Sequence, residues 1–375
     1  RVLSEVVRCQ NLVILTGLGT SLCVMNDETP PKPKAPTMLG LWNRVREKYD
    51  PNPDEKKWGE LLASVKHQPD SKNIEELLSA CKVATVWFLD SDLTNLQSFI
   101  DLAEKEIREG VDFLEASDER STHANFSQRI ARRSAGKNRA KLFTTNYDLC
   151  FERAAKDGAF VVIDGFSPTL PPTFNPVYFT YDIVKRGSEG DASAFIPNVF
   201  HLYKLHGSID WERRESGDIE KKHETDTPLL IYPRSSKYEQ AFSQPYLEMM
   251  AALQSALREQ NTGLLVIGFG FNDKHIAEPI LSAIRSNLGL KVVVVDPWLI
   301  DENNFDENAV IQKDGNIARN DFLKQIQAFM DNGDARLSFL NATFEEVSRE
   351  IPDLTAETEL EMHMRRMRDI RGNAA

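Results

Sequence analysis

Apolar positions along the chain follow two periods. Short runs rich in β-branched residues alternate with stretches in which apolar residues recur every three or four positions, as buried strands and amphipathic helices do. The first run, Leu12-Val-Ile-Leu-Thr16, breaks at Gly17-Leu-Gly-Thr-Ser21 and predicts a strand entering a glycine turn. Residues 26–36 carry Pro30, Pro31, Pro33 and Pro36 and predict a polar loop in which no helix settles. Over 39–133 the spacing is helical: Ile74, Leu77, Leu78 and Cys81 share one face, and Leu93, Leu96, Phe99, Ile100 and Leu102 another, with Asp92 and Thr94 as expected N-caps.

Strand-type runs return at Ala140-Lys-Leu-Phe-Thr-Thr-Asn-Tyr-Asp148, followed by a helix to Lys156, and at Phe160-Val-Val-Ile-Asp164. Residues 166–198 are rich in proline and aromatics and read as an irregular connection, and the run Asn198-Val-Phe-His-Leu-Tyr-Lys-Leu-His206 ends at Gly207-Ser208 before the highly charged stretch 212–226. Alternation resumes with a helix over 245–259, the run Leu264-Leu-Val-Ile-Gly268, a helix over 276–287, the run Val292-Val-Val-Val-Asp296, the run Ala335-Arg-Leu-Ser-Phe-Leu340 and a helix opened by the capping box Thr343-x-x-Glu346. Residues 354–371 predict a charged terminal helix with Leu360, Met364 and Met367 on one face. Short continuous apolar strands separated by helices imply a parallel sheet covered on both faces. The expected fold is therefore α/β, a Rossmann-like doubly wound parallel sheet, with one domain over 1–350, a helical insertion over 39–133 and a C-terminal helical tail over 351–375.

Charge changes the range of partners. With 45 Lys and Arg against 57 Asp and Glu, the 375-residue chain carries a net charge of −12, so as a whole it is repelled by DNA, RNA and anionic membranes. No apolar run approaches the roughly 20 residues of a membrane span. The start, Arg-Val-Leu-Ser-Glu, has no charged leader before an apolar stretch, and no secretory signal is expected. Cys9, Cys23, Cys81 and Cys150 form no Cys-x-x-Cys pair and read as reduced, buried thiols of a cytoplasmic protein. The basic cluster Arg129, Arg132, Arg133, Lys137, Arg139 and Lys141 reads as a solvated helix end and loop, with a phosphate or partner contact as the alternative.

Ligands of doubly wound sheets bind outside the carboxyl ends of the strands, and the polar clusters of this chain fall at such ends. Gly17, Gly19, Thr20 and Ser21 follow the first strand, where free amides and a helix N-terminus would suit a pyrophosphate; a tight structural turn explains them as well. Thr145, Asn146 and Asp148 place an amide and a carboxylate two positions apart at a strand end, where helix capping is the simpler account. His206, beside Gly207, has the best setting for a general base among the seven histidines, and the rest share no metal-ligand spacing, so no metal is expected. Gly268-Phe-Gly-Phe-Asn-Asp273, with Gly268, Gly270 and Phe271, forms a second glycine turn, and Asp296 ends the next strand, where an acid can take ribose hydroxyls.

In this order the motifs resemble the sirtuin-like superfamily, and within it the bacterial antiphage NAD-hydrolysing branch: the loop 17–21, Thr145-Asn146-Tyr147-Asp148, Lys204-Leu-His206-Gly207-Ser-Ile-Asp210-Trp211, Pro228-Leu-Leu-Ile-Tyr-Pro233, Gly268 to Asp273, and Asp296. The resemblance implies NAD as substrate, its pyrophosphate on the loop 17–21 with 268–271 nearby, and its adenosine ribose near Asp296. It implies Asn146 holding the nicotinamide ribose or an attacking water, Asp148 gripping the carboxamide, and His206 accepting a proton. Sirtuin deacylases carry a zinc ribbon of two Cys-x-x-Cys pairs and a Pro-Asp-Phe-Arg element after the first loop; this chain has neither, which moves the expected reaction from deacylation to NAD hydrolysis. The resemblance also implies a homo-oligomer controlled in trans by a HerA-type hexameric ATPase, with direct nucleic-acid binding left to that partner. An NAD-dependent protein deacylase and a non-catalytic scaffold that binds NAD or ADP-ribose are the alternatives.

Overall fold

Seven of the apolar runs pair side by side into one sheet, because most are too short and too apolar to face water on either side. The structure is a computed structural model that describes residues 1–354 apart from 53–55, 69, 134–135, 186–193, 223–224, 226, 231–243, 298 and 300–319. The strands are β1 (Asn11–Thr16), β2 (Lys141–Thr144), β3 (Val161–Ile163), β4 (Val199–Lys204), β5 (Thr262–Ile267), β6 (Leu290–Val295) and β7 (Leu337–Leu340). Their order is β7-β6-β5-β1-β2-β4-β3, and every neighbouring pair is parallel. The chain winds outward from β1 on one side through β2, then returns to its other side with β5, so the crevice at the carboxyl end of β1 is the topological switch point.

The helices among the described residues are α1 (Val2–Val7), α2 (Met38–Tyr49), α3 (Lys57–Ser64), α4 (Ile74–Ala84), α5 (Asp90–Val111), α6 (Ser121–Ala131), α7 (Cys150–Asp157), α8 (Tyr246–Arg258), α9 (Lys274–Ser286), α10 (Asp321–Asp331) and α11 (Phe344–Glu350). Strand periodicity sorts the core into two layers. Leu12, Ile14, Leu142, Phe200, Leu265 and Val293 pack against α1, α6, α7 and α11, whereas Val13, Leu15, Phe143, Tyr203, Leu264 and Val292 pack against α8, α9 and α10. The expected doubly wound parallel architecture is the one observed.

Two boundaries differ from the sequence expectation. The helical module with its own core comprises α2–α5, while α6 contributes Phe126 and Ile130 to the sheet layer. Helix α5 starts at Asp90, with Leu89 at its N-cap and no capping side chain. Asp92 lies inside the first turn, where its charge favours the helix dipole without capping it, and Thr94 Oγ1 donates to the Asp90 carbonyl at 3.1 Å. The capping box at Thr343 and Glu346 is present. The expected terminal helix lies outside the described residues beyond Leu354.

The basic cluster is built into the fold. Arg133 donates to the carbonyls of Val7, Cys9 and Gln10, Arg132 pairs with Asp353 at 2.6 Å, Arg139 with Asp182 at 3.0 Å and Lys141 with Glu259 at 3.2 Å. Arg129 donates to the Ile351 carbonyl and Lys137 to that of Arg8. Arg133 and Lys137 fasten the segment around the amino-terminal helix and Arg129 and Arg132 the segment after α11, and with Arg139 and Lys141 also paired the cluster is not an open phosphate patch. No helix among the described residues is long and apolar enough to cross a membrane.

His123, on α6, is fully buried between Phe151 and Phe344, with ring centroids 5.0 Å from each. Burial pushes its pKa from 6.5 down to about 4. The unfolded chain therefore takes up this proton first, and stability present above about pH 6.5 is lost as the pH falls toward 4. Replacing His123 with Phe is expected to remove about 2 kcal/mol of the stability lost between roughly pH 7 and roughly pH 4.5, measured by denaturant unfolding at the two pH values.

Candidate functional site

Two glycine turns meet at the carboxyl ends of β1 and β5 with no side chain between them. A Cβ on Gly19 would lie 2.5 Å from the Gly268 Cα, and one on Gly17 would lie 2.7 Å from the Gly268 carbonyl oxygen. Gly268 itself has φ +60°, a conformation that disfavours side chains. The first turn does not open an α-helix: Leu18–Thr20 forms a single 3-10 turn before the proline-rich stretch. Its amides are already engaged, with Gly17 donating to Ile267, Gly19 to Gly268, Thr20 to Gly17 and Ser21 to Leu18. The expected helix N-terminus at 17–21 is therefore absent, and four of the turn's amides are spent, two on the end of β5 and the second loop and two on closing the turn itself.

The turn after β2 is fastened to this pair of loops. Asn146 Nδ2 donates to the Gly17 carbonyl at 3.0 Å and to Ser21 Oγ at 2.8 Å, which fixes its amide orientation, since a carbonyl can only accept. Its Oδ1 is left without a hydrogen bond among the described residues. Asp148 accepts from Ser21 Oγ at 2.6 Å and from the Cys150 amide at 3.0 Å, so it takes up the first amide of α7 while it anchors the first loop. From below, Lys204, only 2% exposed, donates to the carbonyls of Tyr147 at 3.2 Å and Asp148 at 2.5 Å and pairs with Glu152 at 3.0 Å. A buried ammonium is tolerated only when its protons are satisfied in this way.

His206 follows β4 and faces the same space. Its Nε2 lies 2.8 Å from Asp273 Oδ2. Because a carboxylate only accepts, Nε2 carries a proton, and Nδ1 is the nitrogen that holds the lone pair when the ring is neutral. Asp273 Oδ1 accepts from the His275 amide at 2.9 Å, so one carboxylate both caps α9 and orients the imidazole. Burial opposes charge on His206, yet the hydrogen bond and charge of Asp273, with the charge of Glu75, raise its pKa above the usual imidazole value. Burial would likewise raise Asp273, but His206 and His275 hold it below the ordinary carboxylate range. Glu75, on the first turn of α4, accepts from Tyr147 Oη at 2.7 Å, and burial raises its pKa.

These groups line one cavity of about 650 Å³ between the carboxyl ends of the central strands and the helical module. Of the residues singled out by sequence, Gly17, Thr145, Asn146, Asp148, His206, Gly268 and Gly270 line it. Gly19, Thr20, Ser21, Phe271 and Asp296 do not. Thr20 and Ser21 are fully buried, and Phe271 is a core residue. Asp296 follows β6, whose Val295 carbonyl accepts the Gly268 amide at 3.0 Å, which puts it beside the second loop rather than in the cavity. Sequence reasoning missed Glu75, Tyr147 and Asp273 as site residues and Lys204 as their support. Asp273 closes the quoted glycine motif and occupies an N-cap position, the one signal that pointed to it.

Leu229–Leu230 pairs antiparallel with Gly207–Ser208 and braces the turn behind His206; residues 231–233 of that motif lie outside the described residues. The four cysteines are free, and burial pushes Cys23 and Cys81 up to about 12, so neither is a reactive thiolate. Among the described residues no three His, Cys, Asp or Glu side chains gather as metal ligands would.

Residues 140–318 match the family model of the SIR2-like domain. The matched segment contains Asn146, His206, the second glycine loop and Asp296, whereas the first glycine loop and the helical module precede it. A solved structure described as "Structural Basis for the Mechanism and Regulation of Sir2 Enzymes" is similar at 12% identity over 88% of this chain and 96% of that chain, with a TM-score of 0.34. No curated protein matches the chain.

The contact between the glycine loops leaves no room for a methyl group on either side. Gly19→Ala and Gly268→Ala are each expected to destabilise the protein by about 1–3 kcal/mol in denaturant unfolding, because backbone rather than a flexible side chain must move. Gly59→Ala, in α3 with nothing within 4 Å of the added carbon, is expected to stabilise by up to ~1 kcal/mol.

Proposed function

We propose that the chain hydrolyses NAD at the nicotinamide glycosidic bond, releasing nicotinamide and ADP-ribose. The observation that carries this reading is the convergence of an oriented amide and an oriented imidazole on one cavity beside two glycine loops. Asn146 offers an uncharged acceptor, Oδ1, to a water or ribose hydroxyl. His206 offers Nδ1 as a base because Asp273 holds the proton on Nε2. In the reaction the water oxygen bonds to the anomeric carbon as the bond to nicotinamide breaks. The released electron pair neutralises the pyridinium ring, and the water proton passes to His206 Nδ1. The oxocarbenium-like state gains from the carboxylates of Asp273, Asp148 and Glu75 around the cavity.

Within this reading the pyrophosphate lies along Gly17, Leu18, Gly268 and Gly270, with the adenosine ribose toward Asp296. Thr145 and Asp148 lie on the nicotinamide side, while Gly19, Thr20, Ser21 and Phe271 hold the loops in place. Water is the acceptor because the chain has no paired cysteines for a zinc ribbon that frames an acyl-lysine groove. The biological setting we propose is antiphage defence in the cytoplasm. There, a homo-oligomer of this chain in complex with a HerA-type ATPase depletes NAD.

Nicotinamide release from NAD, followed by chromatography for the chain alone and with that ATPase, tests the proposal. Asn146→Ala and His206→Ala are each expected to slow release by about 10²-fold or more. Absence of nicotinamide from both samples, or full activity in either variant, overturns hydrolysis. Release that requires an acylated peptide identifies a deacylase instead.

A further inference from the structure

Helix α4 carries a carboxylate into the cavity from outside the sheet domain. Asn73 caps the helix by accepting from the Glu76 amide at 3.1 Å, and Ile74, Leu77 and Leu78 are fully buried in the module's own core. That packing leaves Glu75 on the cavity side, where Tyr147 Oη donates to it at 2.7 Å. Tyr147 stands between the two assigned residues of the turn, Asn146 and Asp148, and its ring lies 6.2 Å from that of His206. Tyr147 also packs into the core of the helical module. A single side chain thus joins the module, the amide-bearing turn and the imidazole.

We propose that Glu75 is a positioning residue of this site, delivered by the helical module to set the charge and seating of the His206 imidazole. The assignment rests on the proposed hydrolysis for its purpose but not for its physical basis. The titratable groups that share the cavity with His206 are Asp273, Lys274 and His275 at the start of α9, Tyr147 and Asp148 after β2, and Glu75 and Glu76 on α4. Asp273 and Glu75 are the two whose negative charges act to raise the His206 pKa, and His206 in turn acts to lower that of Glu75. The two carboxylates come from separate parts of the fold, one from the sheet domain and one from the module.

Glu75→Gln keeps the shape and still accepts from Tyr147, but removes the charge. Loss of a negative neighbour lowers the His206 pKa, so the acid limb of the nicotinamide-release profile moves to lower pH, by about half a unit or more. The same displacement is read without turnover by NMR titration of ring-labelled histidine, with His206→Gln used to assign the signal. Glu75→Asp retains the charge and is expected to restore the titration toward that of the unaltered protein. A His206 titration in Glu75→Gln that superimposes on the unaltered one overturns the proposal. So does a Glu75→Asp protein that shifts as far as Glu75→Gln, since the effect is then one of packing. If NAD is not hydrolysed at all, the proposed function fails while the NMR titration still decides the role of Glu75.

Discussion

The site depends on one contact, the approach of two backbone turns at the carboxyl ends of β1 and β5. Parallel strands hold these ends at a fixed spacing, and loops that leave adjacent strands collide unless one or both lack side chains. Glycine at 17, 19 and 268 removes the collision, and the amide of Gly19 bonds to the Gly268 carbonyl at 3.1 Å. The cavity-facing groups of the sheet domain are referenced to this pair. Asn146 is bonded to the Gly17 carbonyl, Asp148 to Ser21, and Asp273 stands five residues beyond Gly268 at the head of the next helix. Glycines that look like a phosphate cradle are in the first place a hinge of backbone against backbone, and the ligand space forms around them.

Buried charge then defines the chemistry. Lys204 is costly to bury, yet three acceptors surround its ammonium, and two of them are the carbonyls of the turn that carries Asn146. The lysine thus ties that turn to β4 from below. Asp273 divides its two oxygens between a helix cap and an imidazole, which ties the orientation of His206 to the position of a whole helix. An imidazole held in this way has one ring nitrogen fixed by a partner and the other turned to the cavity.

Much of this arrangement was legible in the sequence. Continuous apolar runs predicted every strand of the main sheet, since a strand buried on both faces carries its signature locally. The polar clusters at strand ends located Asn146, Asp148, His206 and the two glycine loops. The details less well predicted were those in which several local solutions are nearly equal in energy. Helix α5 begins at Asp90, three residues before an Asp92 cap would start it, because first-turn acids favour a helix by charge whether or not they cap it. The 17–21 loop closed into a 3-10 turn, with the Thr20 and Ser21 amides paired inside it and those of Gly17 and Gly19 bonded to the end of β5 and the second loop. A glycine pattern cannot reveal that, because it reports conformational freedom and not the fate of the donors.

The sequence by itself determined the layers, the parallel sheet and the residues able to do chemistry, because hydrophobic period and side-chain type are properties of short segments. Only the tertiary structure decided which of these residues meet. Tyr147 and Glu75 are 72 positions apart, and His206 and Asp273 are 67 apart, with a separate helical core interposed in the first case. Their distances follow from the strand order and from how α4 packs, and packing is a sum over many weak contacts that no local pattern encodes. The same sum turned the basic cluster 129–141 from a surface patch into fastenings of the fold, since each cation reached a carbonyl or carboxylate that lies distant in the sequence.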